Sequence, residues 1–281
     1  MPPASSAGEP KSHRRLPPVV KGKPRASPRQ RRLGQNFLAD TNLLDAIVRD
    51  AALEPGDTVL EVGGGGGALT ERLAAVAGHV HVIELDERLL DVLGPLAAEA
   101  GNVELTWGDA MKVDLATLDP APTRMVANLP YSVTTPLLLR TIADLPSLRS
   151  WFVMVQREIA ERLRAAPGTR EYGSPSVVVQ MACEVRLVRT VDPAVFTPRP
   201  RVESALLSME RSGPGAAPEL VALVRQAFAH RRKSLARSLE LAQPGRIEAV
   251  RAALESIGQS AGARAQELSP RQFEQLDEAL R

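Results

Sequence analysis

Residues 58–68 read TVLEVGGGGGA, and this stretch decides the fold of the chain. Its first five residues have the apolar, β-branched character of a strand that is buried on both faces. Five glycines follow, and a helical pattern begins at Ala68. Glycines allow positive φ angles and let a ligand approach the backbone, while a helix N-terminus offers free N–H groups. The stretch therefore predicts a ligand-binding turn between a strand and a helix.

From Asp57 onward, short apolar runs alternate with amphipathic stretches. Such alternation predicts right-handed βαβ units on a mostly parallel sheet. A proline-rich turn separates two later runs, which we expect to close the sheet as a hairpin edge. The predicted strands are 58–62, 79–84, 102–107, 124–128 and 151–156, with the hairpin at 184–191 and 202–210, and the predicted helices between them include 68–77, 86–99 and 135–144.

A loop rich in glycine and proline follows residue 211, and the pattern beyond it is helical. We therefore divide the chain into an α/β domain over 33–211 and a small helical domain over 216–281. The helices predicted in the second domain are 219–230, 231–241, 246–257 and 270–280.

The chain of 281 residues carries a net charge of only +2, but the charge is unevenly distributed. Residues 1–32 contain nine Lys or Arg, one acidic residue and seven prolines, a net charge of +8, whereas the remainder has a net charge of −6. A basic, proline-rich segment with little to bury is typical of disorder, so we expect a disordered tail. Nucleic-acid binding by the folded part must then depend on local basic patches.

Cysteine, histidine and hydropathy patterns exclude several classes of protein. The one cysteine, Cys183, excludes an internal disulfide, and no apolar stretch approaches the roughly 20 residues that span a bilayer. The four histidines and Cys183 show no metal-ligand spacing, so we expect no bound metal. These features are typical of a reduced cytoplasmic protein without membrane contact.

Two carboxylates follow the next strands of the predicted sheet. Glu84 ends a strand 21 residues after Gly63, where a carboxylate can accept hydrogen bonds from both ribose hydroxyls. Asp109 follows the third strand, where it can accept a hydrogen bond from an adenine amino group. Three successive strand ends thus supply groups suited to a nucleoside.

The glycine turn leaves two cofactors open. Gly63, Gly65 and Ala68 also satisfy the spacing of dinucleotide-binding sites, so NAD is an alternative. Glu61, however, lies two residues before the first glycine, and its carboxylate would repel a pyrophosphate. A carboxylate suits a sulfonium ligand with an amino-acid tail, which favours S-adenosylmethionine.

The fourth strand finishes in Asn128-Leu129-Pro130-Tyr131. An exocyclic adenine amine is a poor nucleophile because its lone pair is delocalised into the ring. The Asn128 carboxamide oxygen and a backbone carbonyl held by the proline can each accept one N–H bond and so aim that lone pair. Tyr131 can stack on the base, as in proteins that extract a base from RNA.

These residues resemble the ribosomal RNA adenine N6,N6-dimethyltransferase family, whose motifs occur here in the same order. Asn128-Leu129-Pro130-Tyr131 is similar to the [NDS]-[LIP]-P-[YF] motif of amino-directed methyltransferases. The family often has proline where this chain has Gly64, which we expect to loosen the turn. The other blocks that carry the resemblance are 33–38 (LGQNFL), 61–65 (EVGGG), 82–86 (VIELD), 196–205 (FTPRPRVESA) and 227–235 (AFAHRRKSL).

The resemblance implies a class I S-adenosylmethionine-dependent methyltransferase fold, Rossmann-like with a mostly parallel seven-stranded sheet, followed by a small all-helical domain. It implies that Asn128, Leu129, Pro130 and Tyr131 form the reactive segment and that Phe196 stacks on the target base from the side opposite Tyr131. The cofactor-binding residues implied are Asn36, Leu38, Gly63, Gly65, Glu84, Asp109 and Asn128; the RNA-binding residues expected are Arg199, Arg201, Arg231, Arg232, Lys233 and Arg237.

The function that the resemblance implies is dimethylation of two adjacent adenosines near the 3′ end of 16S rRNA during assembly of the small ribosomal subunit. We expect a monomer that acts on this RNA within the subunit or its precursor. The nearest alternative is a 23S rRNA adenine N6-methyltransferase that confers macrolide resistance, in which isoleucine is usual at the position of Leu129. A non-catalytic RNA-binding protein of the same fold and an NAD-dependent dehydrogenase are more distant alternatives.

Overall fold

A central sheet carries the site, and its strands are those of a computed structural model that describes residues 37–38 and 40–281. The predicted tail and Asn36 lie outside the described residues. In chain order the strands are β1 (Phe37–Leu38), β2 (Thr58–Val62), β3 (His79–Glu84), β4 (Val103–Trp107), β5 (Arg124–Asn128), β6 (Ser150–Gln156), β7 (Cys183–Val191), β8 (Phe196–Thr197) and β9 (Ser204–Arg211).

Ten α-helices in the described part of the chain surround and extend this sheet. They are α1 (Thr41–Asp50), α2 (Ala68–Ala74), α3 (Leu90–Ala100), α4 (Thr134–Asp144), α5 (Arg157–Leu163), α6 (Ser174–Ala182), α7 (Pro218–Phe228), α8 (Leu235–Ala242), α9 (Ile247–Ser256) and α10 (Pro270–Leu280), with single 3₁₀ turns at Glu87–Leu89, Leu115–Thr117, Pro193–Val195 and Ala265–Glu267.

Seven strands form the main sheet in the order β4-β3-β2-β5-β6-β9-β7. The first five are parallel, while β9 runs antiparallel between β6 and β7. The predicted hairpin edge is therefore confirmed. β1 and β8 pair separately as a two-stranded antiparallel ribbon.

Both faces of the central strands β2, β5 and β6 are buried, which explains why these strands are mostly apolar. In β2, Leu60 packs into the apolar cluster on one face with Ile83 and Met125. Its neighbour Val59 points the opposite way and packs with Val80 in a second cluster that includes α1 and α2. The alternation fixes which strand residues reach each face.

A third apolar cluster holds the C-terminal helices, and it reaches back into the α/β part of the chain. Tyr172 and Val177 are fully buried within it, and the hydroxyl of Tyr172 donates to the carbonyl of Leu268 at 2.9 Å. A boundary at 211–216 therefore separates the C-terminal helices from the α/β part in sequence, but α6, which precedes this boundary, packs with those helices. The division into two domains stays an interpretation.

Several element boundaries differ from those predicted. The helix predicted from 231 begins at Leu235, because the side chain of Ser234 caps it by accepting from the N–H of Arg237. The helix predicted over 68–77 ends at Ala74. No element was predicted for residues 157–182, which form α5 and α6. Within the described residues, no helix has the length and apolar character needed to cross a membrane.

Candidate active site

One pocket opens where the neighbouring strands β4, β3, β2 and β5 end. Ligands of open α/β sheets bind at this carboxyl edge, where the loops that follow the strands converge. The pocket is lined by Phe37, Leu38, Leu44, Glu61, Val62, Gly63, Gly64, Gly65, Gly66, Ala68, Leu69, Ile83, Glu84, Leu85, Gly108, Asp109, Ala110, Asn128, Leu129, Pro130, Tyr131, Ser132 and Val133.

The glycine turn after β2 forms the floor of this pocket. Gly63 and Gly65 adopt left-handed φ angles of +85° and +55°, which glycine tolerates without strain. The N–H of Gly63 donates to the carbonyl of Ile83 at 2.9 Å, which joins the turn to the end of β3. Gly64 is closely packed, since a Cβ atom there would lie 2.7 Å from Cγ1 of Val82. A larger residue at position 64 would therefore require Val82 to move, and the expectation that Gly64 loosens the turn relative to proline stays a prediction.

Glu84 fastens the glycine turn to the end of β3. Its side chain is buried, Oε2 accepts from the N–H of Gly65 at 3.0 Å, and Oε1 accepts from the N–H of Asp86 at 2.9 Å. Each carboxylate oxygen has a further acceptor site in addition to these bonds. Glu84 is thus held rigidly at the pocket wall and can still accept from a diol.

Asp109 lies at the end of the neighbouring strand. Its Oδ1 accepts from the N–H of Met111 at 2.9 Å, which fixes the side chain in a tight turn. The preceding Gly108 donates its N–H to the carbonyl of Glu84 at 2.8 Å, so the two carboxylates share one backbone framework. This arrangement positions both acids along the same edge of the pocket.

Glu61 is an acid buried in the pocket wall. Its pKa is raised to about 8, mainly by burial and also by the nearby charge of Glu84, while the hydroxyl of Thr70, which donates at 2.6 Å, opposes the shift. At neutral pH the carboxyl therefore carries a proton. A cation bound beside it would favour the ionised form. The donor set thus fits a positively charged adenosyl amino acid better than a dinucleotide.

The reactive segment follows directly from β5. The N–H of Leu129 donates to the carbonyl of Met154 at 3.0 Å, and the Leu129 side chain is buried. The carbonyl of Pro130 accepts from the N–H of Val133 at 3.2 Å and from the hydroxyl of Thr134 at 3.0 Å. Among the described residues, nothing donates to the carbonyl of Leu129. The half-buried Asn128 precedes it, so two acceptor groups, a carboxamide and a carbonyl, are adjacent in sequence.

Tyr131 completes this segment, and its position depends on another strand. Its hydroxyl shares a hydrogen bond of 2.6 Å with Oγ of Ser204, the first residue of β9. Burial raises the pKa of Tyr131, while the bond with Ser204 opposes this shift. The phenol is therefore neutral, and its ring is held at the pocket wall.

Phe196 is not among the pocket-lining residues, although we predicted that it stacks on the target base. Its ring is 3% exposed and packs in the apolar cluster with Leu38 and Phe152. The pairing of Phe196 with Leu38 in the β1–β8 ribbon holds it there. As placed, the ring has no face open to a base, so a stacking role would require this ribbon to move.

Phe37 lines the pocket, although it is not among the site residues predicted from the sequence. A Cβ atom on Gly65 would lie 3.1 Å from its Cδ1 atom, so the ring lies against the glycine turn. The signal was present, since aromatic residues are scarce in this chain and Phe37 belongs to the quoted block 33–38. Leu38 also lines the pocket, as expected, whereas Asn36 lies outside the described residues.

The predicted RNA-binding residues lie in two loops. Arg199 and Arg201 are exposed between β8 and β9, and Arg199 lies 3.6 Å from Asp192. Arg231 donates to the carbonyls of Thr169 and Arg170, at 3.2 and 2.6 Å. The turn before α8 also exposes Arg232 and Lys233, and Arg237 is exposed in the first turn of that helix.

Comparisons with known proteins agree with this geometry. The family described as ribosomal RNA adenine dimethylase matches residues 27–278. A protein of Rubrobacter xylanophilus called ribosomal RNA small subunit methyltransferase A is 41% identical over 249 residues, covering 87% of this chain and 92% of its own. A protein of the same name from Geobacillus thermodenitrificans is 40% identical over 263 residues, covering 88% and 89%.

Two solved structures extend the likeness to the fold. A dimethyladenosine transferase from Plasmodium falciparum has a TM-score of 0.74 and 26% identity, covering 85% of this chain and 95% of its own. The 23S rRNA methyltransferase ErmE has a TM-score of 0.65 and 27% identity, covering 87% and 99%. The chain belongs to the ribosomal RNA adenine dimethylase family and is an S-adenosylmethionine-dependent methyltransferase.

Proposed function

We propose that this protein dimethylates N6 of two adjacent adenosines near the 3′ end of 16S rRNA, within the small ribosomal subunit or its precursor in the cytoplasm. The observation that carries the proposal is the position of Asn128-Leu129-Pro130-Tyr131 on the wall of the pocket that also holds Glu61 and Glu84. Relatives about 40% identical that are called ribosomal RNA small subunit methyltransferase A support the choice of RNA.

Different pocket residues would bind different parts of the cofactor. When bound, S-adenosylmethionine supplies an electrophilic methyl group on a sulfonium centre. Glu84 would accept from the ribose hydroxyls and Asp109 from the adenine amine, while Gly63 and Gly65 let the ligand approach the backbone. Glu61 would stabilise the positive charge of the ligand once it has lost its proton. Leu38 and Asn36, which lies outside the described residues, belong to the same proposed set.

Asn128 and Leu129 would activate the target amine. The carboxamide oxygen of Asn128 and the backbone carbonyl of Leu129 would each accept one N–H of the adenine. This draws the lone pair out of conjugation and directs it at the methyl donor. Pro130 fixes the carbonyl that precedes it, and Tyr131 offers a neutral ring for stacking. The contribution of the protein is mainly one of positioning.

Methyl transfer of this kind needs no general base before attack. The methylated nitrogen becomes a strongly acidic ammonium, and it can release its proton to water afterwards. Consistent with this, the residues that line the described pocket include neither His nor Cys. For the second methyl, Asn128 must accept an amine that already carries one methyl and has one N–H remaining.

The basic loops would bind the RNA backbone. Arg232, Lys233 and Arg237 are exposed around the start of α8, and Arg199 and Arg201 are exposed on the loop before β9. Arg231 would contribute less freely because backbone carbonyls already occupy its guanidinium. We assign RNA binding to both loops and propose that the enzyme acts as a monomer.

The test is methylation of ribosomal particles. Small and large particles that lack the modification are incubated separately with the protein and labelled S-adenosylmethionine, and modified positions are mapped by primer extension. We expect label in the small-subunit RNA at two adjacent adenosines near its 3′ end. Label confined to the large-subunit RNA would instead support an activity like that of the 23S rRNA methyltransferase and would overturn the proposal.

A further inference from the structure

Three metal-ligating side chains meet at the edge of the main sheet, away from the pocket. His79 and His81 lie two residues apart on β3, so they project from the same face. Glu104 is the parallel neighbour of His81 on β4. Strand register thus brings together groups that are 23 residues apart in sequence.

The ligand atoms of these side chains converge closely. Oε2 of Glu104 lies 3.6 Å from Nε2 of His79 and 3.6 Å from Nδ1 of His81. All three atoms lie within 4.8 Å of one another. Nε2 of His79 and Nδ1 of His81 are both buried and have no hydrogen-bond partner among the described residues. Buried nitrogens without partners are uncommon and need a physical explanation.

The ring of His81 is oriented by the backbone. Its Nε2 lies 2.9 Å from the carbonyl oxygen of Pro120. A carbonyl only accepts, so Nε2 must carry the hydrogen, and in the neutral ring Nδ1 then presents a lone pair. That lone pair faces the carboxylate of Glu104 and the second imidazole. Three electron-pair donors therefore surround one point, and a cation there would satisfy all of them.

Bulk water does not reach the unpartnered nitrogen of His81. The residue is only 1% exposed, and its Nδ1 atom is buried without a hydrogen-bond partner among the described residues. Neutral imidazole is the form that binds metal ions.

We propose that His79, His81 and Glu104 form a binding site for a divalent transition-metal ion of the zinc class. The ligands are Nε2 of His79, Nδ1 of His81 and a carboxylate oxygen of Glu104. Tetrahedral zinc with bonds of about 2.0–2.1 Å places its ligand atoms about 3.3 Å apart. The separations of 3.6 Å between Oε2 of Glu104 and each of the two histidine nitrogens therefore need only small adjustments.

The surroundings support this ion over others. Two imidazoles with one carboxylate favour zinc and its neighbours over Mg²⁺ or Ca²⁺, which prefer oxygen ligands. The carbonyl of Pro120 takes the place of the outer partner that usually holds a metal-binding histidine. The side chain of Glu104 is 55% exposed, which gives an ion a path from solvent and leaves a position for water.

The site lies apart from the methyl-transfer pocket. His79 begins β3 and Glu84 ends it, so the two sites are about 17 Å apart along the strand. An ion bound there would connect the edge strand β4 to β3. We therefore expect it to stabilise the fold while leaving cofactor binding unchanged.

The experiment uses the full chain, prepared without a histidine tag and freed of metal with a chelator. Zinc binding is measured by titration calorimetry, and Co²⁺ reports tetrahedral nitrogen and oxygen ligation through its visible absorption. We expect one zinc ion per chain and a rise in Tm with zinc. His79→Gln and Glu104→Gln, which change partly exposed side chains, should each weaken zinc binding at least tenfold.

The control is His230→Gln, which removes an exposed histidine outside the cluster and should leave zinc binding unchanged. Unchanged binding of S-adenosylmethionine by His79→Gln and Glu104→Gln shows that these variants are folded. Zinc affinity equal to that of the unaltered protein in both folded variants would place the ion elsewhere and overturn the proposal. Failure of the unaltered protein to bind zinc would overturn it as well.

Discussion

The hydroxyl of Tyr131 and Oγ of Ser204 lie 2.6 Å apart, and this bond joins the reactive segment after β5 to the antiparallel strand β9. Ser204 is fully buried, and in the sheet it pairs with Gln156 of β6 and Val191 of β7. The orientation of the Tyr131 ring is therefore set by a strand that contributes no residue to the pocket lining.

Removal of this bond should impair catalysis more than cofactor binding. We expect Ser204→Ala and Tyr131→Phe each to lower kcat by about fivefold, which corresponds to roughly 1 kcal/mol for one hydrogen bond. The double variant should lose little more than either single variant, because both remove the same interaction. Steady-state kinetics and cofactor titration measure these effects, and independent, additive losses would contradict the shared role.

Asn128→Ala should abolish methyl transfer and retain cofactor binding. The change removes the carboxamide acceptor and leaves the carboxylates of Glu84 and Asp109 in place. Incorporation of labelled methyl groups into small-subunit particles measures the first effect, and calorimetric titration with S-adenosylmethionine measures the second. Normal turnover by this variant would refute the role given to Asn128.

The pH dependence of cofactor affinity should report Glu61. Its carboxyl has a pKa of about 8 in the free protein and must lose its proton to stabilise a cation. Below that pH the proton must be removed on binding, so affinity should rise by up to about tenfold per pH unit and level off above pH 8. In the Glu61→Gln variant, we expect the affinity for the cofactor to vary with pH only through the protonation of the cofactor itself. Identical profiles for the two proteins would exclude the role.

Two glycines of the same turn, Gly64 and Gly66, should respond differently to alanine. A Cβ atom at Gly64 would lie 2.7 Å from Cγ1 of Val82, a strand side chain with little freedom to move, whereas nothing lies within 4 Å of one at Gly66. We expect Gly64→Ala to lower the free energy of unfolding by about 1–3 kcal/mol and Gly66→Ala to change it by less than about 0.5 kcal/mol. Urea denaturation measures both, and equal effects would contradict the packing argument.

Arg232 and Lys233 should contribute to RNA affinity through phosphate contacts. Replacing either with alanine should reduce the slope of log affinity against log salt concentration by about one. Arg186→Ala is the control, because this exposed arginine lies on the edge strand β7 beside Glu184. Binding to small-subunit RNA at several salt concentrations measures the slopes. A slope that is unchanged in both test variants would remove this loop from the interface.

The sequence predicted the parallel part of the sheet well because its inner strands are buried on both faces. β2, β3 and β5 have the predicted bounds, and most of the residues in each are buried. Helix α6 was missed because its sequence, SPSVVVQMA, contains three consecutive valines, which favour strands. Its burial against the C-terminal helices overrides that local preference.

Site residues could likewise be predicted only where a local sequence pattern places them. Residues that follow strand ends, such as Glu84 and Asp109, were found because parallel strands bring their carboxyl ends together. The expectation of no bound metal stays a prediction, but the sequence could not indicate the cluster of His79, His81 and Glu104, since only the register of β3 against β4 places Glu104 beside His81. The burial of Phe196 likewise depends on the β1–β8 pairing, which no local pattern indicates.

The shared core of α6 and the C-terminal helices has a consequence for how such enzymes diverge. Tyr172 and Val177 are buried against residues that come some fifty to one hundred positions later, among them Phe273. A chain cut near residue 215 would leave these side chains in water. The helical end is therefore not an independently exchangeable unit: an exchange between relatives would have to include α6 together with the helices that follow residue 215.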